Sequence, residues 1–158
     1  MAAHGVDVLM ENSVQWVEMA VPRAVTRTPC AVRNDKPSVV YGTSIAQGAC
    51  AWRPGMAWTA ILGRKLDRPV INLGFSGNGR LEKEVVELIP DIDAKLYVLK
   101  CLPNLVDTVG IKREEIKAGI SKSVKFLRKQ KPDTPHLLLE TARHAEGGLN
   151  PPSKHLYE

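Results

Sequence analysis

The stretch that decides the fold is "SVVYGTSIAQG", Ser38 to Gly48. A run rich in β-branched residues meets Gly42, and Ser44 then stands among small residues ahead of Gly48. A short, continuously apolar run bounded by glycine reads as a buried strand that ends in a turn. The question it poses is chemical. Ser44 is either a nucleophile delivered at the end of a strand or a serine whose hydroxyl serves its own turn.

Downstream the pattern alternates. "PGMAWTAILGRKL" places Met56, Ile61, Leu62 and Leu66 near one helical face, with Pro54 close to the helix start. "PVINLG" is a second strand, and the glycine-rich "GFSGNG" follows it. "RLEKEVVELI" gives a helix with Leu81, Val85, Leu88 and Ile89 on one face, "AKLYVLKC" a third strand, and "HLLLE" a fourth. Strand and helix alternation with continuous apolar strands predicts an α/β fold, a parallel sheet with helices on both faces. In such sheets chemistry collects at the carboxyl ends of the strands. Ser44 follows strand one, Gly77 strand two and Asn104 strand three, so three polar loops are expected at one edge.

Charge narrows the function classes. The chain has 158 residues and a formal charge of +5, yet from Ile111 to Lys131 eight Lys or Arg stand against two Glu. The whole excess therefore lies in one segment. Ile116, Ile120, Val124 and Leu127 recur there at helical spacing, with Lys122, Lys125 and Lys129 clear of that stripe, which reads as the solvated face of a core-packed helix. No aromatic residues are interleaved for base stacking, so nucleic acid is not the expected partner. No run approaches the roughly 18 apolar residues of a membrane span, and the first residues carry no basic segment leading to an apolar one, so nothing reads as a secretory signal; the compartment is left open. Cys30, Cys50 and Cys101 lack CxxC or Cys/His spacing, and buried thiols are expected in place of a disulfide or a metal site. The glycines of "GFSGNG" fall as GxxGxG, and Lys100 and Cys101 stand where a dinucleotide fold would carry an acid, so no cofactor is expected.

Residues 1–36 behave differently. "VDVLMEN" and "VQWVEMAV" read as two short strands joined near Asn12 and Ser13, followed by a proline-punctuated connector. We divide the chain into a partial β module with linker at 1–36 and an α/β domain at 37–158.

From Ser38 to Glu140 these motifs resemble those of the SGNH, or GDSL-like, hydrolases. That family's first block ends a strand in Gly-Asp-Ser, here Gly42-Thr43-Ser44 with threonine in place of the aspartate. Its second block supplies a glycine N–H after the next strand, here Gly77 in "NLGFSGNG", and its third an asparagine, here Asn104 in "YVLKCLPNLVD". The resemblance implies a three-layer, flavodoxin-like parallel sheet. It also implies a serine ester hydrolase acting on small acyl esters, with Ser44 as nucleophile and Gly77 and Asn104 as oxyanion donors. "HGVDVLM" is similar to the Gly-x-Asp-Leu-Tyr signature of a β-sandwich module that precedes some bacterial members, in the form Gly5-Val6-Asp7-Val8-Leu9. That similarity implies acetyl groups on carbohydrate as the substrate, and relatives that are often exported. Arg53 and Trp52, in "CAWRPGMAW", are candidate pocket-wall residues.

The general base is the missing element. The family takes it from an Asp-x-x-His block near its carboxyl terminus, and "DTPH", Asp133 to His136, has the right letters. His136 opens the fourth strand, however, about 17 Å from the carboxyl edge for five residues at roughly 3.3 Å each. His144 lies beyond that strand, on the carboxyl edge, in a polar connecting segment with nothing to hold it against Ser44, and His155 sits in a proline-broken tail. The resemblance therefore implies a chain truncated at both ends, with weak or absent turnover and an uncovered sheet edge open to self-association. The alternative is a catalytically silent module that binds an acyl or carbohydrate ligand without cleaving it.

Overall fold

The computed structural model describes residues 31–49, 51–106 and 111–140. Cys30, Cys50, His144, His155 and the two strands expected near the amino terminus lie outside them. The elements run β1 (Ser38–Thr43), α1 (Ser44–Gln47), α2 (Trp58–Leu66), β2 (Val70–Phe75), α3 (Lys83–Leu88), a short 3-10 turn (Ile89–Asp91), β3 (Leu96–Lys100), α4 (Leu102–Val106), α5 (Arg113–Gln130) and β4 (His136–Leu138).

The four strands form one parallel sheet in the order β2-β1-β3-β4. This is the start of the flavodoxin-like order, whose direction of winding reverses beside β1. All six residues of β1 are buried, which explains why its sequence is apolar without alternation: helices cover both faces. Successive side chains of β1 point to opposite sides. Val39 and Tyr41 join Tyr97, Leu99, Val86, Ile89, Leu105 and Leu127 in the larger core, under α3, α4 and α5. Val40 joins Val98 and Ala46 in a smaller one, with Trp58, Val70, Leu96 and Leu139 packed against it. Three layers result. On α5 the apolar stripe meets the larger core through Ile116, Ile120, Val124 and Leu127, while Lys122, Lys125 and Lys129 are exposed. No helix among the described residues is long and apolar enough to cross a membrane.

Two helices differ in frame from the sequence reading. α2 begins at Trp58, four residues beyond Pro54, and Leu66 at its end is 58% exposed. Thr59 takes the inward position, because the Asn72 side-chain amide on edge strand β2 donates to both the Thr59 hydroxyl (2.9 Å) and the Ala46 carbonyl (2.8 Å). Polar bonding has replaced apolar packing there. α3 has only six residues and starts at Lys83, so Val86 and Ile89 turn inward and Leu88 is left 64% exposed. Leu81 precedes the helix, in a left-handed conformation (φ 63°). The fourth strand is shorter than expected, although Leu139 continues its pairing by donating to the Leu99 carbonyl at 2.9 Å.

These burial differences set the cost of truncating two leucines. Leu127→Ala should lower the free energy of unfolding by about 2–5 kcal/mol. Leu66→Ala should change it by less than about 0.5 kcal/mol. Urea unfolding midpoints measured side by side check the contrast.

Candidate active site

β1 delivers its chain to the carboxyl edge in an extended conformation that ends at Thr43 (φ −88°, ψ −168°). The Thr43 hydroxyl accepts from the Ile45 N–H at 3.3 Å and caps α1. Ser44 is therefore the first helical residue, half-buried, and its carbonyl accepts from the Gly48 N–H at 2.9 Å. The turn is served by Thr43, and among the described residues the Ser44 hydroxyl has no hydrogen-bond partner. Aspartate and threonine are both strong N-cap residues, so threonine at position 43 keeps the geometry that presents the serine.

The second loop folds onto the first. Asn78 N–H donates to the Phe75 carbonyl at 3.2 Å, closing a turn with Gly77 at its third position (φ 71°), where left-handed backbone favours glycine. Gly79 follows with φ 69°, and a Cβ there would collide with the Gly42 carbonyl and stand 3.0 Å from Thr43 N. The loop backbone thus lies directly on the end of β1. A side-chain clamp holds it there: the buried Tyr41 hydroxyl donates to the Glu82 carboxylate, which also accepts from Arg80 N–H at 2.8 Å, while Glu82 N–H donates back to the Tyr41 hydroxyl at 3.2 Å.

β3 leads straight into α4, which carries Asn104. Its side-chain amide donates to the Asn78 carbonyl at 2.6 Å. The structure therefore places Ser44, Gly77 and Asn104 at one edge, with Asn104 touching the Gly77 loop and Ser44 joined to that loop through Gly42 and Thr43. It does not bond Ser44 to either of the others. His136 is at the opposite edge: it pairs in register with Tyr97, which pairs with Val39, five residues before Ser44 and so about 16 Å away along the strand. Its ring stacks on Tyr97 with centroids 5.5 Å apart, and burial together with the nearby Arg128 pushes the imidazole pKa down. Sequence reasoning missed Tyr41, Glu82 and Gly79. A tyrosine in a buried strand does announce that its hydroxyl needs a partner, but nothing in the sequence says which.

Comparison with known proteins identifies the family and the fold. The family model described as GDSL-like Lipase/Acylhydrolase family matches residues 35–158. A crystal structure from Bacteroides ovatus ATCC 8483, of a protein described as a GDSL-like lipase, is 41% identical with a TM-score of 0.69 over 78% of this chain. This chain spans 35% of that protein's length. A mutant of the esterase AlinE4 is 21% identical with a TM-score of 0.59, over 80% of this chain and 69% of that one, and is similar in fold. Among curated proteins none matches.

The clamp also titrates. Burial opposes the Glu82 charge, but the Tyr41 hydroxyl and the N–H groups of Glu82, Arg80 and Gly79 outweigh it and hold the carboxyl below its ordinary value of 4.5. Burial first, and then Glu82, push the Tyr41 hydroxyl up. A lowered carboxyl contributes stability that is present above the unfolded value and is lost as pH falls through the folded one. The unfolding midpoint should accordingly drop on the acid side of pH 4.5, and Glu82→Gln should flatten that part of the profile. Urea titrations across the acid range measure it.

Proposed function

The chain belongs to the GDSL-like lipase/acylhydrolase family, and we propose that within it Ser44 is the nucleophile of an ester hydrolase acting on small acyl esters. The observation that carries this reading is a serine at the start of α1 whose hydroxyl has no hydrogen-bond partner among the described residues, beside a glycine loop that Asn104 bonds. In this reading the Ser44 oxygen attacks the ester carbonyl, the alcohol leaves, and water releases the acyl group. Negative charge develops on the carbonyl oxygen, and the donors proposed to meet it are the N–H groups of Ser44 and Gly77 and the Asn104 amide. Neither of those two N–H groups is engaged by a described residue. The Gly5-Val6-Asp7-Val8-Leu9 segment supports acetyl groups on carbohydrate as the substrate.

The serine proton must go to a base. His136, the only histidine among the described residues, is at the wrong edge, so slow turnover is expected. The same observation favours a second reading, a module that binds an acyl or carbohydrate ligand and does not cleave it. Reaction with a fluorophosphonate separates the two, because covalent labelling requires an activated hydroxyl. Labelling and slow hydrolysis of 4-nitrophenyl acetate should both disappear in Ser44→Ala, and Asn104→Ala should lower kcat by about 10²–10³. Label that persists in Ser44→Ala removes the nucleophile assignment; ligand binding with no label favours the silent module.

The proposal extends to self-association along β4, one of the two outer strands of the described sheet, where Leu137 and Leu138 are exposed. An unpaired strand edge is a template for another chain. Light scattering should show a mass that rises with concentration, and a monomer throughout would contradict it.

A further inference from the structure

The ion pairs of the described residues are distributed unevenly between the two edges of the sheet. At the amino edge Arg33 pairs with Asp35 at 2.8 Å and Asp67 at 2.9 Å, and Lys36 with Asp93 at 3.0 Å. A further pair, Lys83 with Glu87, lies along α3. At the carboxyl edge three cations, Arg53, Arg80 and Lys100, come from three different segments around the end of β1, and among the described residues none has a carboxylate partner. Of the acids at that edge, Glu82 is occupied by Tyr41, Glu140 offers Lys100 its backbone carbonyl at 3.4 Å, and Glu84, Glu114 and Glu115 stand in the first turns of α3 and α5 without pairing to these three cations.

Two of these cations are held in place. Arg53 lies with its guanidinium carbon 4.0 Å from the centre of the Trp52 ring, which is itself 73% exposed. The turn that carries it, Arg53-Pro54-Gly55-Met56, is closed by Met56 N–H on the Arg53 carbonyl (3.2 Å) and tied to α2 by Arg64 on the Gly55 carbonyl (2.6 Å). The segment leading to it is anchored at the serine, with Ala49 N–H on the Ser44 carbonyl (3.1 Å) and Ala51 N–H on the Gly48 carbonyl (2.8 Å). Lys100 pairs in register with Gly42, two residues before Ser44, and its stem packs against Gly42. Half-buried, it pays a desolvation cost that lowers its pKa, a cost that an anion beside it would relieve. Arg80 stands exposed next to Gly79.

We propose that the ester bound at Ser44 carries a carboxylate on its alcohol portion, and that Arg53 and Lys100, with Arg80 at the rim, select it. This rests on the reading of Ser44 as the ester site. With the acyl carbonyl against the backbone donors of Ser44 and Gly77, the proposal sets the alcohol portion, the group that leaves, toward the rim where Arg53 and Arg80 are exposed and Lys100 is half-buried. Unneutralised cations around a site raise the local concentration of an anionic ligand and fix its orientation.

The test uses 4-acetoxybenzoate and its methyl ester, which share acyl group and ring and differ by one charge. Binding is measured by ligand-observed NMR on the Ser44→Ala protein, so that it does not depend on turnover. The anionic ester should bind roughly tenfold more tightly at low salt, and the preference should fall as salt is raised. Arg53→Gln combined with Lys100→Gln should abolish the preference, and Arg53→Lys should keep part of it. Equal binding of the two esters, a preference for the neutral one, or a preference untouched by the double substitution would overturn the proposal. Hydrolysis of the methyl ester by the wild type but not by Ser44→Ala reports separately on the ester-site reading.

Discussion

The carboxyl edge is organised by how closely the segment after β2 approaches the end of β1. Gly79 rests on the Gly42 carbonyl with no room for a side chain, and that contact sets where the preceding Gly77 turn stands relative to Ser44. Left-handed backbone at Leu81 is part of the same path and costs about 1–2 kcal/mol for a residue with a Cβ. Two things offset it: Leu81 packs against the larger core, and the Tyr41 and Glu82 side chains join strand to loop immediately beside it. Tyr41 belongs at once to the core by its ring and to the loop by its hydroxyl, so packing and site geometry share one residue.

The sheet was legible because a strand covered on both faces needs an unbroken apolar run, and "SVVYG", "PVINLG" and "KLYVL" each supply one. The positions of Ser44, Gly77 and Asn104 at a common edge follow from strand order alone. The faces of α2 and α3 were not legible. Periodicity counts apolar residues, whereas Thr59 turns inward on a hydrogen bond from Asn72, and α3 is so short that one residue of displacement at its start moves Leu88 from core to solvent. Nor was the clamp, since Tyr41 and Glu82 are 41 residues apart and no local pattern links them. The role of Thr43 lay between these extremes: its type suits a cap, and only the fold shows that it relieves Ser44 of that duty.

The two edges of the sheet differ in kind. Ion pairs at the amino edge are exposed and screened by solvent, while the cations of the carboxyl edge have no carboxylate partner among the described residues.

The topology carries a consequence for how the molecule assembles. Parallel pairing joins Ser38 to Val70, Ser38 to Leu96 and Tyr97 to His136, so every ladder links residues at least 32 positions apart in the chain. Such separations impose a loop-closure entropy before any ladder repays it, which makes folding slow compared with a helical bundle of the same size. Nascent chains that stop short of β3 lack the flank on which β1 and its turn depend. The meeting of the Ser44, Gly77 and Asn104 segments at one edge is therefore a late product of folding, and partly synthesised polypeptides hold the serine without those surroundings.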